Sequence, residues 1–309
     1  MPKLVEGRVC IVTGAGRGIG REHALMLASH GAKVVVNDLG GAVDGSGSDL
    51  TPAEQVVEEI KGMGGEAVAN ADSVSDWEGA QRLVNQAIVT FGHLDVVVNN
   101  AGILRDRMLT NMTEEEWDAV IAVHLKGTFA PSRWAAAYWR DLAKAGEKVD
   151  ARIINTTSVS GIYGNPGQTN YGAAKAGIAA FTVIAALELG RYGVTVNAVA
   201  PVALTRMTEG LAGMPQASDE EREMRSPRWI APIVTWLASA ESKGVTGRVF
   251  EASGQGLAIA EGWHRGPEHA PVEDPTKLGP IVAELMSRAR LNAGMDGKDG
   301  SWPQSTPGQ

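Results

Sequence analysis

Short apolar runs alternate with longer amphipathic stretches from residue 8 to about residue 252. The runs are residues 9–12, 33–37, 67–69, 94–98, 152–155, 194–199 and 248–251. They are continuous, as expected for strands that are covered on both faces. The helix candidates between them are residues 18–30, 52–63, 76–91, 114–140, 170–192 and 227–239. This alternation predicts an α/β fold with a mostly parallel, doubly wound sheet of seven strands and helices on both faces.

The end of the chain has a different pattern. Residues 262–280 contain Pro267, Pro271, Pro275 and Pro280, and only residues 281–292 have a helical pattern. Residues 293–309 are rich in Gly, Pro, Asp and Ser, which is typical of a disordered end. We therefore expect a single domain over residues 1–261 and a partly disordered C-terminal extension over residues 262–309.

Charge and cysteine content exclude several classes of protein. The formal net charge of −8 argues against nucleic acid as a partner, because nucleic-acid binders usually present a basic face. The single cysteine, Cys10, lies in an apolar run and cannot form an intrachain disulfide, which favours a reducing compartment. No signal peptide, membrane span or metal site is expected from the sequence. The predicted location is the cytoplasm.

A glycine-rich turn follows the first apolar run. It reads Thr13-Gly14-Ala15-Gly16-Arg17-Gly18-Ile19-Gly20, and a helix candidate begins inside it. Glycines let the backbone turn sharply and approach a pyrophosphate, while the helix N-terminus offers free N–H groups and a positive dipole end. Because it stands between a strand and a helix, the turn predicts a Rossmann-type dinucleotide site. A plain structural glycine turn is the alternative.

The second strand ends in an acidic residue. Asp38 lies 18 residues after Gly20, where a carboxylate can accept hydrogen bonds from the ribose hydroxyls of an adenosine. It would also repel the 2′-phosphate of NADP, and no Arg or Lys follows it in residues 39–43. The sequence therefore predicts NAD as the cofactor. Alternatively, Asp38 only begins the loop 39–50.

Three polar residues after the fifth apolar run form a catalytic pattern. Ser158 is followed 13 residues later by Tyr171, and Lys175 lies four residues beyond the tyrosine. Positions i and i+4 share a face of a helix, so Tyr171 and Lys175 can meet. A neighbouring ammonium and a cationic nicotinamide would lower the pKa of the phenol and make it a usable general acid/base. Ser158 would hydrogen-bond the substrate oxygen.

Together these residues resemble the short-chain dehydrogenase/reductase family over about residues 5–255. Asn99-Asn100-Ala101-Gly102, after the fourth strand, matches the family motif that stabilises the sheet and lines the cofactor site. Asp72 resembles the family's contact to the adenine ring. The segment after the sixth strand is expected near the nicotinamide amide, although it lacks the usual Pro-Gly start. The resemblance implies a cofactor-binding set of Gly14, Arg17, Gly18, Ile19, Gly20, Asp38, Asp72, Ser73, Asn100, Ala101, Gly102, Tyr171, Lys175, Pro201, Ala203 and Thr205.

One catalytic position departs from the family pattern. Family members commonly carry an Asn that relays protons, in an Asn-x-x-Gly setting, whereas this chain has His124-Leu125-Lys126-Gly127. The imidazole of His124 can still donate or accept a hydrogen bond, including one with a water molecule. We therefore include His124 with Ser158, Tyr171 and Lys175 as a catalytic candidate. A purely structural histidine is the alternative.

Several strings resemble a narrower branch, the dehydrogenase parts of the peroxisomal multifunctional enzymes of type 2. They are residues 36–41, 102–107, 123–125 and 160–165. This resemblance implies NAD-dependent conversion of a (3R)-3-hydroxyacyl-CoA, with a fatty acyl or steroid side chain, to the 3-ketoacyl-CoA. The expected partner is thus a small-molecule substrate of the acyl-CoA or steroid class. Arg105 and Arg107 are candidates to hold CoA phosphates, with solvated surface as the alternative.

Other functions remain open at the level of sequence. A 17β-hydroxysteroid dehydrogenase or another carbonyl reductase would use the same residues, and a redox sensor could bind NAD without turnover. Intact Ser158, Tyr171 and Lys175 argue against the sensor, which has no need of proton transfer. By resemblance, we expect a homodimer or homotetramer that pairs through residues 114–140 and 170–192. Within them Trp117, Trp134 and Trp139 are interface anchors or core residues.

Overall fold

The organising element of the fold is one sheet, seen here in a computed structural model that describes residues 3–40, 51–203 and 218–300. Its strands are β1 (Val9–Thr13), β2 (Lys33–Asn37), β3 (Glu66–Asn70), β4 (Val96–Asn99), β5 (Ala151–Thr156), β6 (Val194–Pro201), β7 (Val249–Ser253) and β8 (Gly256–Ala260). Their order is β3-β2-β1-β4-β5-β6-β7-β8. Neighbours run parallel except for β7 and β8, which are antiparallel. The predicted doubly wound, mostly parallel fold is confirmed.

Ten α-helices accompany the strands in the described residues. They are α1 (Gly18–Ser29), α2 (Thr51–Gly62), α3 (Trp77–Phe91), α4 (Glu114–Ile121), α5 (Gly127–Lys144), α6 (Val159–Tyr163), α7 (Thr169–Leu189), α8 (Asp219–Met224), α9 (Ala231–Ala238) and α10 (Leu278–Arg288). Two short helices, α6 and α8, were not predicted. The segment predicted as one helix over residues 114–140 is divided into α4 and α5 by a π-helical turn, Ala122–Lys126.

Apolar layers on both faces of the sheet explain the continuous runs in the sequence. Cys10 and Val12 of β1 face a cluster that includes Leu27 of α1. Val9 and Ile11 face the opposite cluster. Every residue of β1 is buried, so neither face can carry the polar alternation of a half-exposed strand. Burial also raises the pKa of the Cys10 thiol, as expected for a structural cysteine.

The predicted count of seven strands is wrong by one. The eighth strand, β8, returns antiparallel along β7 after a tight turn and forms an edge of the sheet. Its apolar side chains are exposed, with Leu257 at 60% and Ile259 at 53% of their full accessible surface. The sequence of β8 has an apolar run like those of the other strands, but its side chains are exposed, as in an edge strand.

The chain divides into two compact units, residues 1–260 and residues 261–309. In the second unit, α10 begins and ends earlier than the predicted 281–292. Beyond it, residues 293–300 contain an isolated bridge between Ala293 and Asp299. A disordered end stays a prediction for residues 301–309, which lie outside the described part of the chain. The extension itself also remains a prediction.

One helix in the described residues, Thr169–Tyr192, is long and apolar enough to cross a membrane by length and composition. A core helix of a globular domain passes the same test. Here Asn170, Lys175 and Thr182 are buried, and each has a hydrogen-bond partner inside the protein. The helix also packs along β6. The helix therefore packs against the sheet as a core helix of a globular domain does.

Candidate active site

The glycine turn joins β1 to α1 at the carboxyl edge of the sheet. The first helical residue is Gly18, and the preceding Arg17 has extended backbone and makes no side-chain cap. The N–H groups of the first helical turn therefore have no capping side chain. Gly20 packs so closely that a Cβ there would lie 2.1 Å from the carbonyl oxygen of Gly14. The amide of Asn100 donates to that same carbonyl at 3.1 Å and holds the turn against the end of β4.

Asp38 lies directly after β2, next to the glycine turn. Its Oδ2 accepts a hydrogen bond from the backbone N–H of Gly16 at 2.8 Å, and its Oδ1 accepts one from Gly40 at 2.7 Å. A carboxylate oxygen can accept two hydrogen bonds, so each oxygen keeps one lone pair. The acid therefore orders the turn and can still receive hydroxyl donors.

Asp72 and Ser73 follow β3 on the same edge. The carboxylate of Asp72 accepts two hydrogen bonds from Arg82, at 2.8 and 2.6 Å, and one from Asn70 at 3.0 Å. Ser73 shares a hydrogen bond of 2.9 Å with Ser75. The backbone N–H of Asp38 donates to the carbonyl of Asn70, which ties the end of β2 to the end of β3. The predicted adenosine-side residues thus lie along neighbouring strand ends.

The Asn-Asn-Ala-Gly motif after β4 has a clear structural role. Asn99 is buried and donates to Asn155 on β5 at 2.9 Å and to Ser132 on α5 at 2.8 Å. The backbone N–H groups of Asn100 and Ala101 donate to the hydroxyl of Thr13, at 2.9 and 3.1 Å. Thr13 was not among the predicted site residues, although it is the first residue of the glycine-rich motif, which was the available signal.

Ser158, Tyr171 and Lys175 come together above the end of β5. Ser158 caps α6, with its hydroxyl accepting from the N–H of Ser160 at 3.1 Å, and it hydrogen-bonds the side chain of Tyr171. Lys175 lies one helical turn after Tyr171 on α7, with its Nζ 5.4 Å from the centre of the phenol ring. That Nζ donates to the carbonyl of Thr156 at 2.6 Å. The three predicted residues therefore share one site.

Burial dominates the ionisation of this group. It raises the pKa of Tyr171 to about 12, an effect that the hydrogen bond from Ser158 opposes and the charge of Asp106 reinforces. It lowers the pKa of Lys175 to about 7. The expected lowering of the Tyr171 pKa is therefore not found in the protein alone. The physical reason is that burial disfavours both the phenolate of Tyr171 and the ammonium of Lys175. The cation that should stabilise the phenolate is therefore itself less populated.

His124 lies in the π-helical turn between α4 and α5. Its Nε2 is 3.1 Å from the backbone nitrogen of Ile103 and 2.8 Å from the carbonyl oxygen of the same residue. Its ring meets that of Tyr171 edge-on, with 5.1 Å between the centroids. A Cβ at Gly102 would lie 2.4 Å from His124 Cε1, so this glycine makes room for the imidazole. π-helical turns occur often at functional sites.

His124 is neutral in this environment. Burial, with a smaller contribution from the charge of Lys175, lowers its pKa to about 3. Its Nδ1 is buried and has no hydrogen-bond partner within the described residues. A neutral imidazole with one nitrogen on a backbone group and the other free can take either tautomer. The neutral ring therefore lies beside Tyr171 with its Nε2 on the backbone of Ile103.

The segment after β6 is described only in part. Pro201 ends the strand opposite Ala252, and the N–H of Val202 donates to the carbonyl of Ala252 at 2.9 Å. Ala203 is buried. The predicted Thr205 lies outside the described residues. The structure thus places Pro201 and Ala203 at the carboxyl edge of the sheet.

Sequence reasoning missed a group that supports Tyr171 from the β4–α4 connection. Asp106 accepts from Gln168 at 2.8 Å, and Asn170 donates to the carbonyl of Arg105 at 2.9 Å. Arg107, a candidate for CoA phosphates, pairs instead with Glu116 at 3.0 Å. Asp106 and Gln168 are close in sequence to recognised motifs, but only the fold brings the segment after β4 and the start of α7 together.

The fold and the site define an α/β dinucleotide-binding oxidoreductase. The ends of three parallel strands supply the glycine turn after β1, the acid after β2 and Ser158 after β5, and α7 adds Tyr171 and Lys175. Ligands of open α/β sheets bind at this edge. Comparison with known proteins agrees. The family model for short chain dehydrogenases matches residues 8–215. The chain therefore belongs to the short-chain dehydrogenase family, whose members act on CH–OH groups with a nicotinamide cofactor.

Particular relatives are similar over most of this chain. Hydroxyacyl-CoA dehydrogenase ChsB1 of Mycobacterium tuberculosis is 46% identical over 89% of this chain and 87% of its own length. Peroxisomal multifunctional enzyme type 2 of Mus musculus is 45% identical, and the match covers 85% of this chain but only 33% of that enzyme. The crystal structure of a short chain dehydrogenase from Mycobacterium avium superimposes with a TM-score of 0.84 at 53% identity, covering 94% of this chain and 98% of that one.

Proposed function

We propose that this protein oxidises a (3R)-3-hydroxyacyl-CoA to the 3-ketoacyl-CoA with NAD. The observation that carries the proposal is the group of Ser158, Tyr171 and Lys175 beside a dinucleotide-type glycine turn. The substrate class is supported by the similarity to a named hydroxyacyl-CoA dehydrogenase over most of both chains. The sequence alternatives, a hydroxysteroid dehydrogenase, another carbonyl reductase and a sensor, gain no comparable support.

The described residues fit a nicotinamide dinucleotide. The N–H groups at the start of α1 lack a capping side chain and suit the pyrophosphate. A Cβ at Gly16 would lie 2.9 Å from Asp38 Oδ2, so the turn and the ribose acceptor adjoin. The residues that would hold the group are Gly14, Arg17, Gly18, Ile19, Gly20, Asp38, Asp72, Ser73, Asn100, Ala101, Gly102, Tyr171, Lys175, Pro201, Ala203 and Thr205. When bound, the oxidised cofactor accepts the hydride and brings a positive charge that favours phenolate.

The proton is handled by the protein. Ser158 holds the oxygen of the substrate by a hydrogen bond, and Tyr171 Oη takes the hydroxyl proton during oxidation. Lys175, fixed by its bond to Thr156, stabilises the phenolate when it is charged. His124, whose ring lies edge-on against that of Tyr171, continues the proton path away from this group. Since Tyr171 has to lose a proton first, oxidation is expected to speed up as pH rises.

The decisive experiment is turnover of the Tyr171→Phe variant with a (3R)-3-hydroxyacyl-CoA and NAD. The change removes one oxygen, so folding and NAD binding should persist while kcat falls by about 10²-fold or more. Tyr192→Phe is the matched control, because Tyr192 lies beyond the other end of α7, in the turn Gly190–Tyr192. Near-wild-type turnover by Tyr171→Phe would refute the mechanism. Activity on 17-ketosteroids alone would refute the proposed substrate class.

The preference for NAD rests on Asp38. Replacement by alanine removes the charge that would repel a 2′-phosphate, so the ratio of kcat/KM for NAD to that for NADP should fall by about tenfold. Asp76→Ala is a control on the same side of the sheet, since Asp76 caps α3 through Gly79. Faster turnover of the wild type with NADP at matched concentrations would overturn this assignment.

Assembly into a homodimer or homotetramer is the last part of the proposal. The outer faces of α5 and α7 expose Phe129, Val183, Ile184 and Leu187, which argues that these helices pair with another copy. Trp139, predicted as an anchor or a core residue, is only 1% exposed and belongs to the core. Light scattering at micromolar concentration should give at least twice the mass of one chain, and a monomer would contradict the prediction. The cytoplasmic location likewise remains a prediction.

A further inference from the structure

Asn170 stands directly before Tyr171 in the first turn of α7, and its side chain is fully buried. Its Nδ2 donates to the carbonyl of Arg105 at 2.9 Å and to the carbonyl of Glu116 at 3.2 Å. Its Oδ1 accepts a hydrogen bond from the backbone N–H of Tyr171 at 2.7 Å. One buried amide thus joins the start of α7 to the β4–α4 connection and to α4.

The chemistry of these three partners fixes the orientation of the Asn170 amide. The carbonyls of Arg105 and Glu116 accept, whereas the N–H of Tyr171 donates, so the oxygen and the nitrogen of the amide cannot exchange places. This N–H belongs to the first turn of α7, where the helix itself provides no acceptor. Asn170 therefore pairs a backbone donor of Tyr171 that the helix leaves unpaired.

The two carbonyls that Asn170 contacts belong to the segments that place His124. One lies two residues after Ile103, whose backbone nitrogen and oxygen are 3.1 and 2.8 Å from His124 Nε2. The other lies on α4, the helix that leads into the π-helical turn of His124. Since the rings of His124 and Tyr171 meet edge-on at 5.1 Å, the amide connects the backbone of Tyr171 with both segments that hold the neighbouring ring.

Apolar packing also joins these segments, but it is not directional. Ile103, Val120 and Ala174 form a small buried cluster, and Tyr171 packs against it. Hydrophobic contacts depend on area and little on angle, whereas a hydrogen bond weakens steeply when it is misaligned. The amide of Asn170 therefore contributes what the apolar cluster lacks, a fixed direction at the backbone of the tyrosine.

We propose that Asn170 is a positioning residue for proton transfer: its buried amide fixes the backbone of Tyr171 so that the phenol stays aligned with Ser158 and His124. This inference rests on Tyr171 being the proton-transfer group of the proposed function. Because Asn170 is fully buried, it acts through Tyr171. Proton transfer needs the phenol within hydrogen-bond distance of the substrate hydroxyl, so a small displacement of the ring lowers the rate strongly.

The first test measures the bond between Asn170 and Tyr171 in solution and needs no substrate. The chain has four tyrosines, so protein labelled with nitrogen-15 tyrosine gives four amide signals, and Tyr171→Phe identifies the one from Tyr171. We expect Asn170→Ala to speed hydrogen exchange of this amide by about tenfold or more relative to the other tyrosines. Thr182→Val is the matched control, because Thr182 is equally buried in α7 and accepts from Asn155 at 2.9 Å. The control should leave the ratio unchanged.

A second measurement connects this bond to catalysis. In Asn170→Ala, kcat for oxidation should fall by about tenfold per folded molecule, while the Kd of NAD stays near that of the wild type. The solvent deuterium isotope effect on kcat should rise, because a displaced phenol slows the proton step relative to the other steps. Thr182→Val should keep the kcat and the isotope effect of the wild type. If Asn170→Ala does not fold, Asn170→Ser serves the same test, because a hydroxyl donates one hydrogen bond and cannot serve both carbonyls.

Three outcomes would overturn the inference. They are an unchanged exchange ratio in Asn170→Ala, an equal loss of kcat in Asn170→Ala and Thr182→Val, and a fall in kcat with the isotope effect of the wild type. Failure of the proposed reaction would instead appear as absent turnover by the wild type, and the exchange measurement would be unaffected.

Discussion

The two ends of the parallel sheet differ in how completely certain buried polar groups are paired with hydrogen-bond partners. At the amino-terminal edge, Arg152 is 1% exposed, yet it pairs with Asp150 at 2.7 Å and donates to the carbonyl of Ser239 at 2.9 Å and to the hydroxyl of Ser242 at 3.2 Å. Asp150 is shared with Arg8. This edge is a network in which a buried cation has a full set of partners, as stable burial of charge requires.

At the carboxyl edge, three groups of the candidate site lack such a full set of partners. His124 Nδ1 and Asp106 Oδ1 have none within the described residues, and Lys175 is held by one carbonyl. The pKa of Tyr171 is raised and that of Lys175 is lowered, so both shifts favour the neutral forms. The comparison teaches that polar groups with full sets of partners stabilise one edge, whereas incompletely paired groups at the other are available for chemistry.

The largest effect on stability is expected at the amino-terminal edge. Arg152→Met should lower the free energy of unfolding by about 3 kcal/mol, because Asp150 loses a partner and the carbonyl of Ser239 keeps only the hydroxyl of Ser242 as a donor. Urea denaturation measures this change. The activity per folded molecule should not change, because the site lies at the other edge. A loss below about 1 kcal/mol would show that the network contributes little.

Lys175→Met should have the opposite effect, raising stability while removing activity. The pKa of Lys175 is about 7 in the folded protein, below its ordinary value of 10.5. Below pH 7 the ammonium of Lys175 is present in both the folded and the unfolded state, so the folded state carries the full cost of burying that charge. As pH rises from there toward 10.5 the folded state loses its proton first, so wild-type stability increases.

The advantage of the variant should therefore shrink by about 2 kcal/mol between pH 6 and pH 9. Denaturation at both pH values checks this, with Lys61→Met on the exposed face of α2 as the control. A constant difference across that range would mean that Lys175 does not titrate there.

A smaller effect is expected for a fully paired group inside the carboxyl edge. Tyr163, the last residue of α6, donates to the carboxylate of Glu251 on β7. Tyr163→Phe should cost about 1 kcal/mol of stability. Because α6 begins directly after Ser158, kcat should also fall a few-fold. Unchanged kcat with reduced stability would limit this contact to a structural role.

The smallest effect is expected at the rim of the amino-terminal edge. His93 contacts Asp95 at 3.1 Å, but 46% of its side chain is exposed. Such a pair contributes little, so His93→Ala should change the free energy of unfolding by less than about 0.5 kcal/mol. A loss comparable with that of Arg152→Met would mean that burial does not explain the difference between the networks.

The sequence by itself determined the sheet and the identity of the site. Continuous apolar runs predict strands covered on both faces, and seven of the eight strands were found in this way. Local spacing also placed Tyr171 and Lys175 on one helical face, and the glycine turn at a helix start. These features depend on neighbours in the chain, so local pattern is sufficient to find them. The edge strand β8 also has an apolar run, residues 257–260, but it was missed, and its side chains are exposed.

Only the tertiary structure decided how the site ionises and what surrounds it. Asp106 and Gln168 form a hydrogen bond although 62 positions separate them in the sequence. His124, in the π-helical turn, contacts Ile103, which lies 21 positions earlier. The expected lowering of the Tyr171 pKa followed from the adjacent Lys175, but the depth of burial reverses it. Desolvation and long-range charge depend on the packing of distant segments, and the order of residues along the chain contains no direct measure of either.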